Sequence, residues 1–515
     1  MKNPLSALLS AASAFVAVVV GQAVPAAERA NNLPSQSQNL VGRIERIAGW
    51  QGCNQGLLFN AEDAAVFAED RKEEPLRASA LKRLASLLPE IDSCPTSAIL
   101  QYCSAKTAQT DSRSRPIQES AKASATKARL DADFPGGNIV VERMADDIAF
   151  VAPDQRDTQT NEWWFNWCFR LRAPAERPVT IVFTGKNPMG VRGPAMSTDG
   201  GVTWKWLGAG AVKSFQRDSQ PAWSFAALVP DGQDEARYAF CPQYLERHLR
   251  DWLAKHKGEA ALRVEQLCRS RKGRPVELLR AGCLTPAKPR GVVLLTSRHH
   301  CCEAMATYAL EGLLETVLGD NDAGRRWRAQ WEVIAVPFMD KDGVEDGDQG
   351  KFRRPHDHNR DYNAEPIYPE VAALMKLGAS LKDRLVVALD LHCPWIRGEW
   401  NDRAYFVGSP QANFWQNETA FAAVLERAQR GPIRFRAQDC LPFGVAWNKD
   451  GNFRQGRSCT AWAREAFPAA RLVASMEIAY ADALGVEVNA ASARALGRDL
   501  AQALLEYLAD APVIK

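Results

Sequence analysis

Ser297-Arg298-His299-His300-Cys301-Cys302-Glu303 directly follows an apolar run at residues 291–296. The run is typical of a buried strand, and the apolar spacing after Glu303 is typical of a helix. A strand that ends near His300, with Glu303 in the first turn of the next helix, brings an imidazole and a carboxylate together. His-x-x-Glu at such a junction supplies two of the three protein ligands that a catalytic zinc site requires.

Three further polar segments follow this motif in chain order. One lies in a predicted loop, one ends an apolar strand and one lies inside another strand: Asp357-His358-Asn359-Arg360, Asp390-Leu391-His392 and Met476-Glu477-Ile478. Five of the seven histidines fall between His299 and His392. Such clustering is typical of a metal site rather than of histidines scattered through a core.

A metal site that activates water needs three protein ligands and one open position. His300, Glu303 and His392 supply a set of two imidazoles and one carboxylate. Zinc bound there would lower the pKa of water to about 7 and polarise a carbonyl group. A separate carboxylate must take the proton of the water and pass it to the leaving amine, and Glu477 is the candidate.

The chain has 515 residues, more than one ordinary core accommodates, so several domains are expected. Its formal charge of +3, from 64 basic and 61 acidic residues, argues against nucleic acid as a partner. The twelve cysteines fit an oxidising compartment. Cys53, Cys94 and Cys103 lie in a short N-terminal region, where a disulfide would stabilise a small hydrophobic core. Cys301 and Cys302 are predicted to be buried small residues beside the metal.

The N-terminus has the pattern of an export signal. Lys2 is followed by apolar and small residues at 5–20, and Val24-Pro25-Ala26 offers a cleavage site. We therefore predict a signal peptide at residues 1–26 and a periplasmic or secreted protein. An uncleaved membrane anchor is the alternative, but the run is shorter than the roughly 20 residues that a span needs. No stable membrane insertion is expected after cleavage.

The rest of the chain changes character along its length. Residues 40–105 have helical periodicity and predict a small helical region, whereas residues 106–134 lose their large apolar side chains and predict a flexible linker. Short β-rich runs at residues 135–248 are typical of an antiparallel sandwich. Strands then alternate with helices over residues 249–515, which predicts an α/β catalytic domain with helices on both faces of its sheet.

The ordered motifs resemble those of the zinc metallocarboxypeptidases, and specifically the cytosolic-carboxypeptidase-like branch, over roughly residues 137–510. Two segments of the front part, Trp163-Trp164-Phe165 and Tyr238-Ala239-Phe240-Cys241-Pro242-Gln243-Tyr244, resemble the β-sandwich that precedes the catalytic domain in that branch. The resemblance implies a mixed-sheet carboxypeptidase domain behind a β-sandwich, with one zinc ion per chain. The matching catalytic motifs are His300-Cys301-Cys302-Glu303, Asp340-Lys341-Asp342-Gly343-Val344, Asp357-His358-Asn359-Arg360-Asp361-Tyr362, Asp390-Leu391-His392 and Ser475-Met476-Glu477.

The resemblance also implies roles around the metal. His300, Glu303 and His392 would bind zinc, and Glu477 would be the general base and acid. Asp357 would accept a hydrogen bond from the far nitrogen of His300 and so fix its tautomer.

Other roles concern the substrate. By the same resemblance, Asn359 and Arg360 would bind the C-terminal carboxylate of the substrate, a task that suits the planar guanidinium group. The arginine that stabilises the oxyanion would be Arg353 or Arg354, with Arg354 slightly favoured. Classical carboxypeptidases have a tyrosine on a mobile loop before the catalytic glutamate, but residues 409–476 contain none.

Together these features predict an exported zinc metallocarboxypeptidase that removes a C-terminal amino acid from a peptide or protein. Two alternatives stay open. The same zinc site could act on a non-peptide or cell-wall amide, or the chain could be a catalytically silent peptide-binding protein. Retention of the three ligands and Glu477 counts against the silent protein. The resembled branch is associated with acidic C-terminal residues, and Arg457 is one candidate to receive such a side chain.

Overall fold

The computed structural model describes residues 127–157, 163–284 and 289–510. The predicted signal peptide, the predicted helical region with its three cysteines, and most of the predicted linker lie outside these ranges. The described residues fall within one compact unit, Ala125–Lys515. Within this part of the chain, no helix is both long enough and apolar enough to cross a bilayer.

Two five-stranded sheets form the first part of the unit. Their spatial orders are β1-β4-β10-β6-β7 and β2-β3-β5-β9-β8. Neighbouring strands are antiparallel except for the pair β3 and β5, which is parallel. The strands are β1 Arg129–Asp131, β2 Val140–Ala145, β3 Ile148–Ala152, β4 Cys168–Arg172, β5 Val179–Thr184, β6 Ala195–Ser197, β7 Lys205–Trp206, β8 Lys213–Arg217, β9 Gln220–Ala227 and β10 Ala236–Ala239.

Aromatic rings from both sheets fill the space between them. Trp167 lies 5.1 Å from Phe183 and 5.9 Å from Phe225 between ring centroids, and Phe225 lies 5.6 Å from Tyr238. These side chains are almost fully buried, so aromatic packing accounts for much of the apolar surface that this sandwich removes from water.

The first strand corrects one predicted boundary. The strand β1 lies inside the range 106–134 that was predicted as linker. Leu130 is buried in the core, and Asp131 accepts hydrogen bonds from Arg170 at 2.5 Å and Arg172 at 3.1 Å. These partners lie far along the chain, which is why the local composition did not predict the strand.

The second part contains a seven-stranded mixed sheet in the order β11-β12-β14-β13-β15-β17-β16. The four strands β14, β13, β15 and β17 are parallel, and antiparallel strands form the two edges. A two-stranded ribbon, β18-β19, lies apart from this sheet. The strands are β11 Leu262–Arg269, β12 Pro275–Gly282, β13 Gly291–Ser297, β14 Trp331–Val336, β15 Leu385–His392, β16 Ala404–Val407, β17 Leu472–Ile478, β18 Asp482–Ala483 and β19 Val486–Glu487.

Helices cover both faces of the seven-stranded sheet, as predicted. Alternate residues of β13 enter two different apolar clusters, Val293 with Phe421 and Leu500 on one face and Leu294 with Trp462 on the other. The helices are α1 Glu246–Lys255, α2 Ala304–Leu318, α3 Asp322–Gln330, α4 Lys341–Asp346, α5 Pro369–Ala379, α6 Ala412–Ala428, α7 Cys459–Ala466 and α8 Ala490–Tyr507.

The parallel strands position the candidate site. The junction after β13, the last residue of β15 and the penultimate residue of β17 lie at the same carboxyl edge of the sheet, where His392 is directly opposite Glu477. Ligand sites in open α/β sheets form at this edge. The predicted fold class, a mixed α/β sheet preceded by a β-sandwich, is confirmed.

Candidate metal centre and active-site cavity

Three side chains converge at the carboxyl edge of the sheet. Nδ1 of His300 lies 2.8 Å from Oε1 of Glu303, and Nδ1 of His392 lies 2.9 Å from Oε2 of the same carboxylate. One ligand atom from each residue lies within 4.8 Å of the other two. Glu303 is the N-cap of α2 and is fully buried. Two imidazole nitrogens and a carboxylate therefore face one point, an arrangement that can hold a divalent metal ion.

A second layer of hydrogen bonds holds His392. Its Nε2 lies 2.7 Å from Oδ2 of Asp390, whose Oδ1 lies 2.8 Å from Nδ1 of His299. His299 in turn contacts the hydroxyl of Tyr362 at 2.6 Å. Burial alone would lower the pKa of His392, but the carboxylates of Asp390 and Glu303 raise it well above its ordinary value. Because Asp390 occupies Nε2, Nδ1 of His392 is the atom left for a metal.

Asp357 lies beside His300, as the sequence predicts. Nε2 of His300 is 3.7 Å from Oδ1 of Asp357, an ion-pair separation slightly longer than a hydrogen bond. Asp357 is buried, which alone would raise its pKa, but interaction with His300 lowers that pKa below the ordinary value. The structure therefore brings the two residues together, and the predicted control of the tautomer stays a prediction.

Glu477 faces the same centre from β17. The residue is 8% exposed and lines the cavity, and its Oε2 has no hydrogen-bond partner among the described residues. Burial raises the pKa of Glu477, and the nearby carboxylate of Glu303 acts in the same direction, against the imidazole of His392 and the ammonium of Lys351. A buried carboxylate without a partner is costly to keep, and such groups mark functional sites.

Lys351 is a member of the site that sequence reasoning missed. Its Nζ lies 2.5 Å from Oε1 of Glu303 and donates to the carbonyl oxygen of Cys393 at 2.9 Å. Burial would lower the pKa of Lys351, but the Glu303 carboxylate raises it above the ordinary value, so the side chain is a cation. A single lysine between two recognised motifs carries no signal of its own, because only the fold brings it to Glu303.

The two adjacent arginines predicted to serve the oxyanion lie elsewhere, which corrects that prediction. Arg353 is held by three carboxylates, with distances of 3.1 Å to Asp157 and 2.9 Å to each of Asp340 and Asp348. Arg354 is exposed. Neither residue lines the cavity. Asp340 and Asp348 are near Arg353 in the chain, whereas Asp157 lies almost two hundred residues away, so local sequence does not predict the complete cluster.

A cavity of about 600 Å³ opens in front of the three candidate ligands. Asn359 and Arg360 line it, as predicted for substrate-binding residues. Asn359 accepts a hydrogen bond from the backbone N–H of Cys459 at 2.9 Å. Arg360 donates to the carbonyl oxygens of Asn359 and Asn452 at 2.9 and 3.1 Å, so its guanidinium group is held against the cavity wall.

Other cavity residues come from loops that carry no recognised motif. Phe352, Trp395, Phe443 and Trp447 form an aromatic part of the cavity wall, and no tyrosine is among the described residues that line the cavity. Arg464 also lines the cavity, and among the described residues no hydrogen bond or ion pair holds its guanidinium group, although Glu418 and Glu465 are near enough to act on its charge.

Arg457 is less free to bind a substrate. It lines the cavity, but it donates to the carbonyl oxygen of Tyr362 at 2.6 Å and forms an ion pair with Glu465. Cys301 and Cys302, by contrast, are buried and unoxidised beside His300, as predicted. Their burial raises the pKa of both thiols, to about 12 for Cys302, so both are neutral packing residues at physiological pH.

Comparison with solved structures identifies the fold. A metallo-carboxypeptidase from Burkholderia cenocepacia superimposes with a TM-score of 0.60 at 19% identity, over 74% of this chain and 99% of that one. A metallo-carboxypeptidase from Pseudomonas aeruginosa, solved with (2-guanidinoethylmercapto)succinic acid, gives 0.57 at 18% identity, over 74% and 99%. The described residues therefore have the fold of these metallo-carboxypeptidases.

Comparison with curated proteins shows similarity to cytosolic carboxypeptidases. Cytosolic carboxypeptidase 6 of Caenorhabditis elegans is 22% identical over 284 residues, which are 51% of this chain and 61% of the relative. Cytosolic carboxypeptidase 3 of Mus musculus is 25% identical over 293 residues, 51% of this chain and 29% of the relative. The chain thus spans less than two thirds of these relatives, and no protein-family model matches it. The predicted resemblance to the cytosolic-carboxypeptidase-like branch is confirmed.

Proposed function

We propose that this protein is a zinc-dependent metallocarboxypeptidase that hydrolyses the C-terminal peptide bond of peptides or proteins. The observation that carries the proposal is the convergence of His300, Glu303 and His392 on one point. In the same cavity, Oε2 of Glu477 has no hydrogen-bond partner among the described residues. A silent binding scaffold has no need of a buried carboxylate without a partner.

The donor set supports zinc as the metal. Two imidazole nitrogens and one carboxylate form a three-ligand set that leaves a coordination position for water or substrate. Asp390 and Asp357 stand behind the two histidines as the outer carboxylates that orient such ligands. When bound, zinc would supply Lewis-acid polarisation of the scissile carbonyl and a lowered pKa for the attacking water.

Glu477 is suited to the proton transfers. We assign it the role of the base that takes a proton from the attacking water and then gives it to the departing amine. Burial raises its pKa towards the working range of a group that must both accept and donate a proton. Its Oε2 is free of partners among the described residues and so available for the exchange.

Asn359 and Arg360 are assigned to the C-terminal carboxylate of the substrate. An arginine held against the wall by backbone carbonyls is preorganised and loses little freedom on binding. Arg464 is the cavity cation best placed to attract the terminal side chain, because Arg457 is already paired with Glu465. We therefore expect a preference for acidic terminal residues.

Export through the predicted signal peptide belongs to the same proposal.

The test is cleavage of a peptide library with varied C-terminal residues, followed by mass spectrometry. Wild-type protein and Glu477→Gln are compared at equal zinc content, with and without a chelator. We expect stepwise loss of single C-terminal residues. The substitution should slow cleavage about 100- to 10,000-fold, and the chelator should abolish it. N-terminal sequencing of protein from an expressing bacterium would test cleavage after Ala26.

Two outcomes would contradict the proposal. Equal activity of Glu477→Gln and wild type would remove the glutamate from the mechanism. Absence of cleavage of any peptide by the zinc-loaded protein would favour a non-peptide amide substrate, which a panel of N-acyl amino acids and cell-wall peptides would then identify. A library member blocked by C-terminal amidation is the matched control, because it removes the carboxylate that Arg360 is proposed to bind.

A further inference from the structure

Lys351, a cation at the candidate metal centre, has no part in the roles assigned above. Nζ of Lys351 lies 2.5 Å from Oε1 of Glu303, and the side chain lines the same cavity as Glu477. Among the described residues, Lys351 is the cation whose charged atom is in hydrogen-bond contact with the ligand set His300, Glu303 and His392. A carbonyl oxygen that gains negative charge beside the metal would therefore form next to this ammonium group.

The other candidate cations do not contact the ligand set. Among the described residues this includes Arg454 and Arg464, which also line the cavity. Arg353 is bound by three carboxylates outside the cavity, and Arg354 is exposed. Arg360 donates to two backbone carbonyls, and Arg457 is paired with Glu465. None of these guanidinium groups forms a hydrogen bond or ion pair with the ligand set in the part of the chain that the structure describes.

We propose that Lys351 stabilises the negative charge that develops on the scissile carbonyl oxygen. This inference rests on the proposed function. It gives Lys351 the role of stabilising the oxyanion, which the family resemblance had implied for Arg353 or Arg354. Preorganised cations aimed at developing charge in a site shielded from water are among the largest contributions to catalysis.

The water oxygen forms a bond to the carbonyl carbon while the C=O π pair moves onto the carbonyl oxygen, and the water proton goes to Glu477. An N–H of Lys351 donates to that oxyanion. When the C=O bond re-forms, the C–N bond breaks and the amine leaves with the proton from Glu477. Lys351 loses no proton at any stage, so its role is electrostatic.

The backbone around Lys351 is fixed against the metal centre. A Cβ placed on Gly350 would lie 2.6 Å from the backbone nitrogen of Cys301 and 2.9 Å from Cα of His300, so the segment packs directly on the strand-to-helix junction. Phe352 has a φ of 55°, a backbone conformation that a bulky residue adopts only when its surroundings enforce it. The carbonyl oxygen of Cys393 also holds Nζ at 2.9 Å.

The β-sandwich supports the same segment from the other side. Oε1 of Gln349 accepts hydrogen bonds from the backbone N–H groups of Phe165 and Asn166 at 2.7 and 3.1 Å. The backbone N–H of Gly350 donates to Asp157 at 2.8 Å. These bonds hold the two residues that precede Lys351, so the ammonium group is positioned before a substrate arrives. Such preorganisation is what electrostatic stabilisation of a transition state requires.

The test compares wild type with Lys351→Met and Lys351→Arg, each loaded with zinc and checked by thermal melting. Methionine keeps much of the stem volume without the charge, whereas arginine keeps the charge. Three quantities are measured: zinc affinity by chelator competition, kcat and KM on a cleaved peptide, and the affinities of a phosphinic peptide and of the released amino acid. The phosphinic peptide carries the tetrahedral, charged geometry of the oxyanion, and the amino acid does not.

For Lys351→Met we expect zinc to remain bound at one ion per chain and KM to stay close to wild type. We expect kcat to fall about 100- to 1,000-fold, with a parallel loss of affinity for the phosphinic peptide and none for the amino acid. Lys351→Arg should recover part of kcat and part of the affinity for the phosphinic peptide. Unchanged kcat and phosphinic-peptide affinity, with only the zinc affinity altered, would overturn the proposal and leave Lys351 as a counter-ion of Glu303.

The proposed function can fail separately from this inference. Wild-type protein that binds zinc but cleaves no peptide would refute the peptidase assignment. The phosphinic-peptide measurement would still report on Lys351, because it needs a bound metal and a charged tetrahedral ligand but no turnover. Equal affinity of wild type and Lys351→Met for that ligand would then refute the inference in its own right.

Discussion

Lys351 and Arg353 are cations separated by one residue, and they occupy opposite environments. Lys351 meets one carboxylate, Glu303, and lines the cavity. Arg353 contacts three carboxylates, those of Asp157, Asp340 and Asp348, and does not line the cavity. The difference is the number of carboxylates per cation. A cation surrounded by more negative charge than it can neutralise has nothing left for a substrate, whereas one that shares a single carboxylate with a metal site remains available.

The cluster around Arg353 links the two parts of the described unit. Asp157 belongs to the sandwich part of the chain, whereas Asp340 and Asp348 flank α4 of the second part. Burial would raise the pKa of Asp340, yet Arg353 lowers it to about 2. Burial and the charge of Asp157 raise the pKa of Asp348 to about 7. The charge of Arg353 therefore stabilises the ionised form of Asp340, whereas the ionised form of Asp348 stays unfavourable.

The largest expected effect comes from removing Arg353, the cation that three carboxylates surround. Arg353→Met leaves three largely buried carboxylates without a positive partner, and breaking a buried pair in this way costs about 3 to 5 kcal/mol. The free energy of unfolding, measured with a chemical denaturant, should fall by that amount with or without zinc. Arg354→Met is the matched control, because an exposed arginine should change stability by no more than about 0.5 kcal/mol.

The free energy of unfolding of Lys351→Met, measured with the same denaturant, is compared with that of Arg353→Met. In the zinc-loaded protein the metal takes over the charge of Glu303, so the loss of stability should be smaller than for Arg353→Met. Equal losses for the two substitutions would remove the distinction between a structural and an available cation.

A smaller effect is expected where the sandwich holds the segment that carries both cations. Gln349→Ala removes the acceptor for the N–H groups of Phe165 and Asn166 and leaves these buried donors unpaired, at a cost of about 1 to 3 kcal/mol. If that contact also positions Lys351, kcat should fall while zinc affinity is retained. Urea unfolding and peptide kinetics measure the two effects.

The control for this substitution is Gln416→Ala, which alters an exposed glutamine on α6. It should leave both quantities unchanged. A Gln349→Ala protein that loses stability but keeps its kcat would show that the sandwich stabilises the segment without positioning the cation.

Periodicity and motif spacing predicted the elements and the ligand set but not the partners of charged side chains. Glu477 lies inside a strand, β17, as predicted, and His300, Glu303 and His392 do meet. Those predictions depend on local pattern and on where parallel strands end. Which basic residue at 351–354 meets Glu303 depends on tertiary contacts, among them the ion pair between Arg353 and Asp157, almost two hundred residues away.

The smallest expected effect is a pH dependence of stability that originates in Asp348. Its pKa is about 7 in the folded protein against an ordinary 3.8, so the folded state binds a proton that the unfolded chain releases. The contribution of this group to stability is therefore greatest at low pH and is lost as pH rises towards and through 7. Asp348→Asn removes the charge and should flatten the dependence. Between pH 5.5 and 8, melting temperatures of wild type should fall relative to the variant, by about 1 °C for each kcal/mol in a folded unit of this length. Because Asp157 and Asp348 raise each other's pKa, the difference between the two curves reports the titration of this pair of carboxylates. Parallel curves would mean that Arg353 neutralises Asp348 as fully as it does Asp340.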